Sequence, residues 1–193
     1  MKTKPELEKR DLAQAPEIRA DESGKVAKGY AALFGVKTDI GGYFFETIAR
    51  GAFSDAIKGD VRALVDHDSG RVIGRTTAKT LRLSEDEKGL FVEIDLPDTT
   101  DGRDLAVQLD RGDITGMSFG FRVTHDEWDE TGDIPSRTIH KVELYEVSAV
   151  AFPAYPDTSI GLRSLEDARK ESIETKRHNF NAAAKRRQMK INL

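Results

Sequence analysis

From residue 117 to 124 the side chains alternate in kind. Met117, Phe119, Phe121 and Val123 are apolar, and Ser118, Gly120, Arg122 and Thr124 are small or polar. A period of two belongs to an extended strand with one face on a core. A second long strand pattern covers 139–150, and shorter ones cover 26–34, 61–65, 81–83 and 90–96. The last two flank the polar stretch 84–89 and read as a hairpin. Helix is expected only in short pieces. One lies near 52–58, stopped by Gly59; the other runs from about 102 to 111, capped by Thr99 or Asp101 and ended by Gly112. Many strands with two short helices predict a mainly β chain. It should be closed, or nearly closed, into a mainly antiparallel barrel, because closure removes exposed strand edges.

The chain has 193 residues, of which 33% are charged. That exceeds the ~25% of ordinary domains, so the surplus belongs on solvated faces or in unfolded ends. Residues 1–16 are polar, contain Pro5 and Pro16, show no period and read as a flexible arm. Residues 17–163 hold the apolar runs and form the expected domain. Residues 164–193 lack Gly and Pro and form a charged tail that can be helical, but its apolar positions are too sparse for a core-facing stripe. Six Lys/Arg and no acid follow Glu174, so within a net charge of −4 the first 174 residues carry −10. No apolar run approaches the ~18 residues of a membrane span. The charged start, with no apolar stretch behind it, predicts no secretory signal. The absence of cysteine excludes disulfides, thiolate zinc sites and a cysteine nucleophile. The net negative charge suggests no nucleic-acid partner.

Gly116-Met117-Ser118-Phe119-Gly120 matches the G-x-S-x-G pattern of a nucleophile elbow, but the elbow needs a helix after its serine. Here the alternation continues as strand, so an elbow-type esterase fails on context. Ser118 stands instead on the polar face of a strand, with glycines on either side leaving a clearing that a peptide backbone could approach. The bland alternative is an ordinary solvent-facing serine. A nucleophilic serine needs a base. Of the four histidines, His178 lies in the basic tail, His125 in an acidic run read as a loop, and His140 within a strand pattern. His67 continues the face of Val61, Ala63 and Val65 and precedes a turn at Ser69-Gly70, so it ends a buried strand face. A metal site at Asp66-His67-Asp68 is disfavoured because neighbouring strand residues point to opposite faces. Glu146 shares parity with Val142, Leu144 and Val150 and interrupts an apolar face, whereas Glu143 looks solvent-facing. A buried carboxylate needs a partner, which a histidine would supply. The alternative is a bulge near Tyr145 that returns Glu146 to solvent.

Several blocks, in order, resemble the tailed-phage prohead (capsid maturation) serine protease family. They are Gly29-Tyr30-Ala31-Ala32-Leu33-Phe34, Ala49-Arg50-Gly51-Ala52-Phe53, Val65-Asp66-His67-Asp68 through Ile73-Gly74-Arg75-Thr76, and Leu96-Pro97-Asp98-Thr99. The run from Arg111 through Gly116-Met117-Ser118-Phe119-Gly120-Phe121 follows, then Leu144-Tyr145-Glu146-Val147-Ser148 and Phe152-Pro153-Ala154-Tyr155-Pro156. The resemblance covers about residues 17–163. It implies a β-barrel serine protease of the herpesvirus-assemblin type, with catalytic residues Ser118, His67 and Glu146 and with no cofactor or metal. It implies as substrates the major capsid protein's scaffold segment and the protease itself. It also implies synthesis in the host cytoplasm and enclosure in the assembling prohead, and it is compatible with a homo-oligomer. The rival is a non-catalytic capsid-assembly or scaffolding module, against which the intact serine, histidine and glutamate argue.

Overall fold

A computed structural model describes residues 7–11, 19–20, 25–151, 165–166 and 169–170. The chain divides into two units, Met1–Asp157 and Thr158–Leu193. In the second, the described residues Leu165, Glu166, Arg169 and Lys170 are helical. The Phe152–Pro156 block and most of the basic tail lie outside the described residues.

The first unit is mainly β. In chain order its strands are β1 (Glu8–Asp11), β2 (Arg19–Ala20), β3 (Val26–Leu33), β4 (Thr38–Ile40), β5 (Phe44–Ile48), β6 (Arg62–Val65), β7 (Asp68–Arg75), β8 (Leu81–Glu85), β9 (Gly89–Asp95), β10 (Gly116–Asp129) and β11 (Ser136–Val150). A single 3₁₀ turn, Ala56–Lys58, stands where a short helix was expected. One α-helix, α1 (Thr100–Arg111), precedes β10. Thr99 caps it by accepting from the Gly102 amide, and Gly112 ends it with φ 75°. That left-handed conformation favours glycine.

The strands form two sheets. One carries β2-β3-β9-β8, and the other carries β1-β10-β11-β5-β4 with β6 and β7 attached. Their inner faces share one core that joins Ala31, Val92 and Ile94 of the first sheet to Met117, Phe119, Phe121 and Val147 of the second. Phe119 is central, with its ring centroid 5.6 Å from Phe53 and 4.7 Å from Phe121. Burying each such ring contributes about 1.5–3 kcal/mol. Among the described residues the sheets are not hydrogen-bonded to one another, so the expected closed barrel gives way to two sheets face to face. The pairing is mostly antiparallel, but β11 takes two parallel partners along one edge. Its first half pairs with β5 and its second half with β6.

Two segments read as irregular prove regular. Asp126–Asp129, with His125 before it, extends β10 rather than forming a loop. Within the stretch read as a flexible arm, Glu8–Asp11 is a strand on the outer edge of β10. Its charged residues explain why it shows no apolar period. Glu8 and Arg10 are buried and paired with other charges. Arg10 donates to Glu46 through Nε at 2.6 Å and Nη2 at 3.0 Å, and Arg137 donates to Glu8 at 3.1 and 3.2 Å and to Asp126 at 2.7 Å.

Candidate active site

Ser118 lies in the half of β10 that is buried on both faces. Phe119 and Phe121 turn into the core, and Ser118 and Gly120 turn to the opposite face. Across the antiparallel ladder Ser118 stands opposite Ser148 and Gly120 opposite Glu146. Directly opposed residues share a face, so the serine and the glutamate do as well. The chain after Ser118 stays extended, as the alternation predicted and as a nucleophile elbow forbids.

The register explains how Glu146 arrives there. Between the Gly120–Glu146 and Phe121–Leu144 pairs, β11 carries one extra residue, Tyr145. This bulge reverses the phase of the strand. Val142 and Leu144 face the core before it, and Val147 and Ala149 after it. Glu146 therefore does not interrupt the apolar face, as simple parity suggested. It joins the serine's face and is nevertheless only 8% exposed. The bulge near Tyr145 is present, but it does not return Glu146 to solvent as that alternative expected.

His67 covers the carboxylate. β6 and β7 form a hairpin with Val65 opposite Asp68, leaving Asp66 and His67 as its two-residue turn. Both have positive φ, 53° and 57°, as the tight turns that match strand twist require. His67 is thus on the turn itself and does not end the strand face; the turn expected at Ser69-Gly70 is the start of β7. A non-glycine residue held left-handed costs on the order of 1 kcal/mol, and such positions persist where neighbours fix them. Here the Asp66 amide donates to the Ala149 carbonyl at 2.9 Å. Parallel pairing of β6 with β11 places Val65 opposite Ala149 just before the turn, and His67 Nδ1 donates to Glu146 Oε1 at 2.7 Å. Ser148 Oγ donates to the other oxygen, Oε2, at 2.6 Å. With its Nδ1 proton on the carboxylate, the imidazole carries its basic lone pair on Nε2.

Gly120 has a different purpose from the expected clearing. A Cβ there would lie 2.5 Å from Glu146 Oε1 and 3.1 Å from its Cδ and Cγ. The space is occupied by the carboxylate, not left open to a peptide. Ser148 is the site residue that motif reading passed over. Ser148 could have been found two positions after Glu146 on the same strand face.

Glu143 is engaged elsewhere. Arg122 donates to Tyr145 Oη at 2.8 Å, and Tyr145 donates to Glu143 at 2.5 Å. That bond to Glu143, with partial burial, holds the Tyr145 phenol above its usual pKa. Ser118 is 0% exposed, and its Oγ donates to the backbone carbonyl of Arg10 at 3.1 Å. The structure thus joins His67 to Glu146 directly and sets Ser118 on their face, beside β1.

The fold is similar to that of the capsid assembly protease of bacteriophage T4. The match covers 77% of this chain and 99% of that one, with a TM-score of 0.52 and 14% identity. In class, the chain is a mainly β serine protease. It belongs to the caudovirus prohead serine protease family, which matches residues 14–173. It is 32% identical over 168 residues to the prohead protease of Enterobacteria phage HK97, covering 84% of this chain and 72% of that relative. It is 35% identical over 99 residues to the prohead protease of Escherichia phage T5, covering 51% of this chain and 44% of the relative.

Proposed function

We propose that this chain cleaves scaffold segments of the major capsid protein during prohead maturation, with Ser118 as nucleophile, His67 as general base and Glu146 as the acid that orients it. The 2.7 Å bond between His67 and Glu146, on the face that carries Ser118, is the observation that supports this most. Ser118 Oγ attacks the scissile carbonyl carbon while His67 Nε2 takes its proton. The buried carboxylate stabilises the resulting imidazolium and keeps the ring in one tautomer. When the tetrahedral intermediate collapses, the C–N bond breaks and the amine leaves with the proton from His67. Water, deprotonated by the same nitrogen, then releases the acid from Ser118.

Membership of the family and the names of its relatives support the capsid protein as substrate and the prohead interior, within the host cytoplasm, as the place of action. The same reading takes the protease itself as a second substrate and allows association with further copies. Two sheets around a single core support a relation to the herpesvirus-type barrel, opened rather than closed. Co-expression with the capsid protein tests the assignment. The parent should shorten the capsid protein on a gel, and folded Ser118→Ala should not. Near-normal processing by that variant would remove Ser118 from the role.

A further inference from the structure

A strand has two edges. Along the first half of β10, one edge is taken by β11 and the other by β1. β1 runs antiparallel with Arg10 opposite Phe119 and Asp11 opposite Ser118. A peptide that reaches a nucleophile carried on a strand commonly docks as an added strand, its main chain pairing with the exposed edge. On this strand that edge is filled. The serine is also engaged, because a hydroxyl has one proton to give and Ser118 gives it to the Arg10 carbonyl. While that bond stands, the proton is not offered to a base.

Resting on the assignment of Ser118 as nucleophile, we propose that β1 is a built-in occupant of the substrate edge of β10, which an extended peptide must replace to reach the serine.

The side chains of β1 indicate what kind of peptide fits. Glu8 and Arg10 turn toward the buried charges of Arg137 and Glu46, and Lys9 and Asp11 stand opposite Gly120 and Ser118. When β1 leaves, Arg137 still pairs with Glu46 at 3.1 Å and with Asp126 at 2.7 Å, so no charge is left alone. An incoming strand with an acid and a base two residues apart re-forms both lost contacts. β1 is only four residues long and is held largely by charge, which suits an element that exchanges. Its closed state excludes substrate and its open state admits it, so the apparent rate scales with the open fraction.

The test uses the full chain and the rate at which a fluorophosphonate probe labels Ser118, located by mass spectrometry. Arg10→Glu sets an acid against Glu46 and should loosen β1. For an open fraction of roughly 0.1–10%, labelling should rise about 10- to 1,000-fold. Arg10→Lys, which keeps a cation between Glu8 and Glu46, should stay much nearer the parent rate. A second form carries an endopeptidase site inserted within residues 12–18, so that the chain folds intact and β1 is cut free afterwards. Cutting should raise labelling, and a peptide of residues 1–11 added back should lower it. Equal labelling before and after release of β1 overturns the proposal while leaving the nucleophile standing, as does a cut strand that never leaves. No label at Ser118 in any form overturns the nucleophile assignment, and this proposal with it.

Discussion

Gly120→Ala is a one-methyl change that should silence the enzyme without unfolding it. The added Cβ would sit 2.5 Å from Glu146 Oε1, whereas real contacts start near 3.0 Å and become ordinary at 3.4 Å. The carboxylate oxygen must therefore retreat by roughly 0.5–0.9 Å, which stretches its 2.7 Å bond to His67 to about 3.2–3.6 Å, at or beyond the hydrogen-bond range. A bond to a charged group contributes about 1.5–3 kcal/mol, and a 1 Å misplacement of a catalytic group can cost on the order of 100-fold in rate. The expected result is a kcat lower by about that factor with KM little changed. Gly120 is not at positive φ, so alanine is free of backbone strain there and gains about 0.5–1 kcal/mol from the stiffer unfolded chain. That gain opposes the local crowding, and Tm should move by no more than about 4 °C. Capsid-protein cleavage by the purified variant, with a thermal melt, measures both quantities. Glu146→Asp should be coupled to Gly120→Ala, since a shorter acid withdraws from the crowded spot and the double variant should lose less than the two losses summed. A folded Gly120→Ala enzyme with the parent's kcat would refute the claim that the carboxylate must occupy this position.

Ser118→Ala and His67→Ala should each lower kcat by on the order of 10⁴ or more, and the double variant should be little worse than either, because the residues act as a unit. Single-turnover kinetics checks this. Glu146→Gln should lower the rate strongly and Glu143→Gln slightly, since Glu146 bonds His67 whereas Glu143 bonds Tyr145; parallel assays with circular dichroism decide. In acid, the β1 cluster should lose stability only once the pH drops below the ordinary carboxyl range. Burial alone would raise the Glu46 carboxyl, but Arg10 and Arg137 outweigh it and hold its pKa below the usual value. A folded pKa below the unfolded one gives stability that is present above the unfolded value of about 4.3 and is lost as pH falls below it. Urea melts from pH 6 to pH 3 should show that fall, and Glu46→Gln should flatten it. Arg137→Ala, which leaves Arg10 alone to balance the buried Glu8 and Glu46, should cost about 3–5 kcal/mol in the same melts. A chain ending at Glu174 should be packaged with the capsid protein less well than the full chain, if the basic tail binds an acidic scaffold surface, and the difference should shrink above ~0.15 M salt; quantitative gels of purified proheads measure it.

The alternation around Ser118 and the capped helix before it were legible because each rests on a local period or a cap. The face of Glu146 was not. One bulged residue, Tyr145, inverts the phase of everything beyond it, and nothing in a period of two announces where a residue will be squeezed out. The Asp66-His67 turn was equally hidden, since its sequence is compatible with a strand end. β1 and its partners were invisible for another reason. Arg10 meets Glu46 across 36 positions and Glu8 meets Arg137 across 129, and a charged residue in sequence reads as solvated until its distant counter-charge is known. Gly120 was read as a gap for a substrate because a glycine shows that room is needed, not what fills it.

The distance along the chain between β1 and β10 has a consequence for synthesis. Arg10 emerges 108 residues before Ser118, the hydroxyl it will hold. At translation speeds of 5–20 residues per second, the first strand waits on the order of ten seconds for its partner. An unpaired strand edge kept waiting is an invitation to a neighbouring nascent chain. The sequence Glu8-Lys9-Arg10-Asp11, two bases flanked by two acids with no apolar residue, has little to offer such a neighbour. Polysomes crowded with copies of this protease can thus carry the strand safely until the late hairpin of β10 and β11 closes on it.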